Sequence, residues 1–211
     1  MNDGDPKTPG LYVVSAPSGG GKTSLVNALL QRDERVALSI SHTTRAPRPG
    51  EHDGVHYHFV DEAGFAALAE RGAFLEHARV FGHRYGTGRD AVERQLAAGH
   101  DVLLDIDWQG ARQVRASFPA ARTIFILPPS MAELRRRLIN RRQDSDEVID
   151  RRMRAARAEI SHAGEFDFLV VNDDFEAALS DLHSIVRQGR LNRFGDVQKN
   201  RDILAELLET G

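Results

Sequence analysis

The chain has 211 residues, 41% of them hydrophobic and 28% charged, with a formal net charge of −3. That composition suits one compact globular domain with room for inserted subdomains, and it carries no basic field that would call for nucleic acid or an acidic membrane surface. There is no cysteine, which excludes disulfides, thiolate metal sites and cysteine nucleophiles and agrees with a reducing compartment. The first ten residues are polar and hold no apolar h-region, and no run approaches the roughly 20 apolar residues of a membrane span. A cytoplasmic protein is expected. Lysine occurs only at positions 7, 22 and 199, so nearly all of the 28 basic residues are arginine. A lone arginine is therefore weak evidence here, and arginine counts only inside a motif.

Residues 11–16 read as a strand and 22–31 as a helix, with Ala16-Pro17-Ser18-Gly19-Gly20-Gly21-Lys22-Thr23 between them. Strand, glycine-rich loop and helix form the setting of a phosphate-binding loop. Glycines let the backbone turn tightly and approach an anion, and the free N–H groups of the loop and of the helix start surround it. Lys22 supplies a point charge for β/γ-phosphates, and the Thr23 hydroxyl is placed as a Mg²⁺ ligand. The usual pattern begins with glycine where this chain has Ala16.

A second strand is expected over 36–41. Residues 41–50 hold two prolines and a glycine and read as a loop. Arg45 and Arg48 lie three apart in it, so it is either a second phosphate clamp or an ordinary solvated loop. Residues 54–60 alternate as a strand, which would put His56 and His58 on one face. With no cysteine and no acidic ligand at metal spacing, exposed strand histidines are the preferred reading over a metal site. Asp61 caps a helix to about Arg71. Residues 74–80 read as a strand with Glu76 on the side of Phe74 and Ala78, either solvated or aimed at a ligand. Residues 85–88 read as a turn, and Thr87 with Asp90 as a capping box opening a helix to about Ala98, closed by Gly99.

Residues 101–107 read as a buried strand ending in acids. Ligands bind at the carboxyl ends of strands in open α/β sheets, so Asp105 resembles an acid that holds Mg²⁺ directly or through water. Asp107 would lie on the same strand face; a capping pair is the alternative. A helix from Gln109 to about Phe118, a strand over 122–127 and a helix from Ser130 to about Arg141 follow. The spacing of Asp144 and Glu147 predicts a further helix to about Ala163. Arg137, Arg141, Arg142 and Arg152 on these helices are a solvated surface, an RNA contact or a lid over transferring phosphates. Residues 168–172 read as the last strand, 175–188 as a helix, and 197–208 as an amphipathic, partly helical tail. Alternating β and α elements imply an α/β fold with a parallel central sheet covered on both faces, and two insertions at about 40–90 and 130–155.

Taken together, the stretches SAPSGGGKTSL (15–25), SHTTRAPRPGE (41–51), GVHYHFV (54–60), FLEHARVFGHRYGT (74–87), LDIDWQGA (104–111), IFILPPS (124–130), RRQDSDEVIDRRM (141–153) and VVNDD (170–174) resemble bacterial-type guanylate kinase over about residues 10–190. Ala16 is common among bacterial members of that family. Arg142 stands where the family often has glycine, and Thr87 where many members have serine.

The resemblance implies a P-loop fold in a single domain over 1–211. Its core would be 10–40, 91–130 and 156–190, with a GMP-binding insert at 41–90, a lid at 131–155 and a C-terminal tail at 191–211. It implies transfer of the γ-phosphoryl group of ATP to GMP with Mg²⁺. Residues 16–24 (Ala16, Pro17, Ser18, Gly19, Gly20, Gly21, Lys22, Thr23 and Ser24) and Asn172 would bind ATP, and Thr23 and Asp105 the metal. Arg45, Arg48, Tyr57 and Tyr85 would hold the GMP phosphate, Glu76 would read guanine, and Ser41, Thr87 and Asp107 would make further base or ribose contacts. Lys22, Arg45, Arg137, Arg141 and Arg152 would carry the catalysis. The implied partners are the small molecules ATP and GMP, with no nucleic acid and no membrane; a homodimer is among the assemblies open to it. A guanylate-kinase-like module that binds a phosphorylated peptide is the reading from another class, and the intact Gly19, Gly21, Lys22 and Thr23 argue against it. Another nucleoside monophosphate kinase is the competitor among enzymes, against which Glu76 and Thr87 favour guanine.

Overall fold

Strand β1 (Leu11–Ser15) is buried at every position. Tyr12 and Val14 enter one hydrophobic cluster, and Leu11 and Val13 another. A strand apolar on both faces belongs inside a parallel sheet covered on both sides. The computed structural model describes residues 8–80, 82–140, 145–190 and 199–209. After β1 come α1 (Lys22–Arg32) and β2 (Val36–Leu38), then β3 (His42–Thr43), β4 (His58–Phe59), α2 (Glu62–Glu70), β5 (Phe74–Val80) and β6 (His83–Gly88). The chain continues through α3 (Arg89–Ala97), β7 (Asp101–Asp105), α4 (Trp108–Ser117) and β8 (Arg122–Leu127). It then forms α5 (Met131–Asn140), α6 (Asp146–Ile160), β9 (Phe168–Val171), α7 (Phe175–Arg190) and α8 (Lys199–Glu209).

The central sheet has the order β2-β7-β1-β8-β9, and every pairing in it is parallel. Leu25 and Leu29 of α1 and Leu182 and Val186 of α7 cover the Tyr12 face, while Val92 of α3 and Val114 of α4 cover the Leu11 face. A third cluster joins Phe125 and Leu169 of the sheet to Leu134 of α5, Ala156 and Ile160 of α6, and Leu207 of α8. The smaller sheet has the order β4-β3-β6-β5. It lies wholly within residues 42–88.

Several local expectations change. The strand expected over 36–41 is shorter: β2 stops at Leu38, residues 39–41 are not strand, and β3 begins only at His42, in the other sheet. Only His58 and Phe59 of 54–60 are strand, so His56 does not share a strand face with His58. Residues 85–88 are strand rather than turn. Gly86 is there because a Cβ would lie 3.0 Å from the Phe74 ring and 3.1 Å from that of Phe65. The expected Thr87–Asp90 capping box is absent: Gly88 caps α3 without a side-chain bond, and the Thr87 hydroxyl donates to Glu76. A bulge between Phe74 and Glu76 shifts the register of β5, so Phe74 packs on Phe65 and His77 instead of sharing Glu76's face. β7 ends at Asp105, and Asp107 is not on that strand but caps α4. α6 ends at Ile160 and a 3₁₀ turn, Ala163–Glu165, follows it. Asp144, half of the other expected capping box, lies outside the described residues, as do 191–198.

The amphipathic C-terminal segment is part of the core. Leu207 is 3% exposed against α6 and β9, whereas its neighbour Leu208 is 48% exposed. Leu207→Ala should therefore lower unfolding free energy by about 2–4 kcal/mol through lost burial and a residual cavity. Leu208→Ala should stay within about 0.5 kcal/mol of the parent in the same urea titration.

Candidate functional site

The loop after β1 is shaped by two glycines in left-handed conformation, Gly19 (φ 92°) and Gly21 (φ 93°). Gly21 caps α1 with no side-chain bond to its free N–H groups, so these stay open to an anion. Gly21 must also be glycine for space, since a Cβ there would lie 2.2 Å from Asn172 Nδ2. Asn172 is buried behind the loop and its Nδ2 donates to the Gly20 carbonyl at 2.9 Å. Its own carbonyl accepts from Arg137 Nη2 at 2.9 Å, and Arg137 Nε also binds Glu133 at 2.8 Å.

Lys22 reaches across the sheet to the carboxyl end of β7. Its Nζ lies 2.5 Å from Asp105 Oδ1 and donates to the Ile106 carbonyl at 3.2 Å. Thr23 is exposed beside it. Arg152 Nη2 donates to Ser18 Oγ at 2.9 Å. The described residues include no cluster of three or more His, Asp or Glu side chains able to cage a metal. One carboxylate and one hydroxyl beside an anion site suit Mg²⁺, which keeps several waters and takes phosphate oxygens as ligands.

Two adjoining clefts meet at Lys22, Val80 and Asp107. One, about 270 Å³, lies over residues 16–24. The other, about 220 Å³, is lined by Ser41, Tyr57, Glu76, Ala78, Tyr85, Asp105 and Ile106 as well. The second cleft brings together six sequence-selected residues with Lys22. Its wall holds Glu76, only 4% exposed. Burial pushes the Glu76 carboxyl up to about 7; the Thr87 bond at 2.6 Å pulls the other way and the Asp107 charge adds to the rise. Asp107 accepts from Gly110 N at 2.9 Å and from Gln109 Nε2 at 2.9 Å.

At the cleft edge, Arg45 sits 5.4 Å over the Tyr57 ring, pairs with Glu51 Oε1 at 2.9 Å and donates to the Ala46 carbonyl. Burial raises the Tyr57 hydroxyl above its ordinary value. Arg48 is exposed in the same loop and Arg141 lies outside the described residues. Arg137 is held at Asn172 and Glu133.

Sequence reading missed three residues. Glu51 organises the 45–51 loop by accepting from the Arg45 side chain and the Arg48 N–H. Gly110 makes room for the buried acid, since a Cβ there would lie 2.5 Å from Glu76 Oε2. Glu159 accepts from the Ser18 N–H at 2.9 Å. Gly110 and Glu159 act across the fold, so nothing in their local pattern marks them. Glu51 acts within its own loop, where its spacing of three and six residues from Arg48 and Arg45 was the available signal.

The family model for guanylate kinase matches residues 8–189. The chain belongs to the guanylate kinase family. It is 60% identical over 198 residues to the guanylate kinase of Alkalilimnicola ehrlichii, covering 94% of this chain and 96% of that one. To the guanylate kinase of Methylobacillus flagellatus it is 56% identical, covering 94% and 98%. The crystal structure of guanylate kinase from Anaplasma phagocytophilum superposes with a TM-score of 0.73 at 38% identity, over 88% of each chain. The enzyme reading and the P-loop α/β fold stand with this membership. Among the described residues no helix is long and apolar enough to cross a membrane.

The Thr87 hydroxyl is the main group that offsets the burial of Glu76. Thr87→Val should raise the Glu76 pKa further above about 7. Carbon-13 NMR titration of the glutamate carboxyl groups reads this directly, and a midpoint that stays put or falls would contradict the geometry.

Proposed function

We propose that the protein transfers the γ-phosphoryl group of ATP to GMP, giving ADP and GDP, in an in-line, Mg²⁺-dependent step beneath an arginine lid. The observation that carries this reading is the buried Glu76 carboxylate in a cleft that meets the phosphate loop at Lys22. Guanine presents N1–H and N2–H₂ side by side, and an ionised carboxylate is an acceptor for both. Adenine offers no such pair, and a buried acceptor left unpaired rejects it strongly.

The loop N–H groups and Lys22 hold the ATP phosphates, with Lys22 exchanging Asp105 for phosphate oxygens. Asp105 and Thr23 hold the metal, which when bound neutralises the β/γ oxygens. Arg45 leaves Glu51 for the GMP phosphate, joined by Arg48 and the hydroxyls of Tyr57 and Tyr85. Ser41, Thr87 and Asp107 complete the base and ribose contacts. An ionised GMP phosphate oxygen forms the new bond to phosphorus as the bond to the ADP oxygen breaks, so no side chain removes a proton. Arg137, Arg141 and Arg152 meet the charge in flight, and Asn172 acts at the ATP side.

The domain division belongs to the same proposal, supported by a second sheet confined to 42–88 and by helices α5 and α6 around 131–155. So do a cytoplasmic location, small-molecule nucleotides as the partners and a homodimer as an allowed assembly.

A coupled ADP-release assay with ATP and each of GMP, dGMP, AMP, CMP and UMP tests the reading: turnover should be confined to the guanine nucleotides. Lys22→Ala should lose at least ~10²-fold in kcat/KM, the scale of removing one charge stabiliser from a transition state. Glu76→Gln should weaken the preference for GMP over AMP, and equal selectivity would remove Glu76 from base reading. The carboxylate is the form that accepts from guanine, so affinity is lost as pH falls through about 7. KM for GMP should be about tenfold higher at pH 6 than at pH 8, beyond any slope left in Glu76→Gln.

A further inference from the structure

Two side chains of α6 converge on one residue of the phosphate loop. Arg152 donates to Ser18 Oγ from Nη2 at 2.9 Å and from Nε at 3.3 Å. Glu159 Oε2 accepts from the Ser18 N–H at 2.9 Å. The two residues are seven apart, two helical turns, and so share a face. An arginine there agrees with phosphate chemistry. A carboxylate does not: Glu159 lines the cleft over residues 16–24, where it repels any anion that enters. Burial pushes its carboxyl above the ordinary range, while the Ser18 N–H, Lys22 and Arg152 pull it back.

Two explanations differ in sign. A surrogate anion would fill the loop while it is empty and obstruct the triphosphate. An anchor would stay and make binding stronger. The bond goes to the Ser18 N–H, immediately before the glycine run, ahead of the left-handed Gly19 and Gly21 that set the direction of the N–H groups after them. The hydroxyl of the same residue is held by the same helix. Both observations favour the anchor. We propose that Glu159 is a positioning residue: it fastens the entrance of the phosphate loop to α6, so that the following N–H groups and Lys22 are set before the triphosphate arrives. This rests on the phosphotransfer reading for the identity of the ligand.

The test uses the full chain as wild type, Glu159→Ala and Glu159→Gln, with each nucleotide varied at saturation of the other. The alanine variant should raise KM for ATP about tenfold, the order of one lost charge-assisted hydrogen bond, with KM for GMP within about twofold. The glutamine variant, whose amide oxygen still accepts from Ser18 N–H, should return KM for ATP to within about threefold of wild type. An unchanged or lower KM for ATP in the alanine variant would overturn the anchor. So would a parallel rise for GMP, which signals general damage, or a glutamine variant as poor as alanine. Calorimetric titration with a non-hydrolysable ATP analogue repeats the comparison without turnover. A wild type that binds the analogue yet leaves GMP unphosphorylated would refute the reaction while still deciding the role of Glu159.

Discussion

The ammonium of Lys22 rests between the Asp105 carboxylate and the Ile106 carbonyl, and the register of two strands makes that contact possible. β1 and β7 pair in parallel with Val14 opposite Asp105, so the acid emerges beside the loop that begins two residues later. A slip of one residue would turn Asp105 to the other face of the sheet and leave the lysine without its partner. Both side chains are partly shielded, at 21% and 28% exposure. An unpaired charge in such a place carries a desolvation penalty that an opposite charge offsets. The pair therefore holds Lys22 at the junction of the two clefts, and the β1–β7 register that places Asp105 beside the loop also fixes the site.

The second half of the site depends on a local cost. A carboxylate 4% exposed, with its pKa near 7, is expensive to keep ionised. Three elements hold it there. The bulge in β5 brings Leu75 to the core and Glu76 to the cleft. β6 supplies the Thr87 hydroxyl, and the first turn of α4 supplies a position without a Cβ at Gly110. Each breaks a local rule: a register shift, a threonine diverted from capping and a glycine inside a helix. Such exceptions cluster where binding, rather than stability, is being served.

That clustering also explains what was legible in the chain. The central sheet was readable because 11–15, 101–105 and 122–127 are apolar runs ended by loops or prolines, and their burial needs no distant information. The phosphate loop was readable because its chemistry is contiguous. Around Glu76 the reading failed in detail. Tyr85-Gly86-Thr87-Gly88 has turn composition, yet Gly86 answers to two aromatic rings and Thr87 to an acid eleven residues back. Asp107 looked like a strand residue because Ile106 continues the apolar run, but its side chain captures the Gly110 N–H and starts a helix. Gly110 and Glu159 act on residues that the fold brings near, so no window of sequence around them carries the signal, whereas Glu51 acts three and six residues back in its own loop and its signal was a local one.

The same long-range contacts join the α5–α6 pair to the loop. Arg137 of α5 holds the Asn172 carbonyl, and Asn172 in turn holds the Gly20 carbonyl. Arg152 and Glu159 of α6 hold Ser18. Gly20 and Ser18 are thus each tied to a different helix, and α6 is seated on the third hydrophobic cluster together with Leu207 of α8. An anion entering the loop competes with Ser18 for the Arg152 guanidinium, while the Glu159 bond to the backbone remains available. One end of the contact is exchangeable and the other is not. On the anchor proposal the position of α6 and the shape of the phosphate loop are linked, and a link of this kind acts equally in both directions.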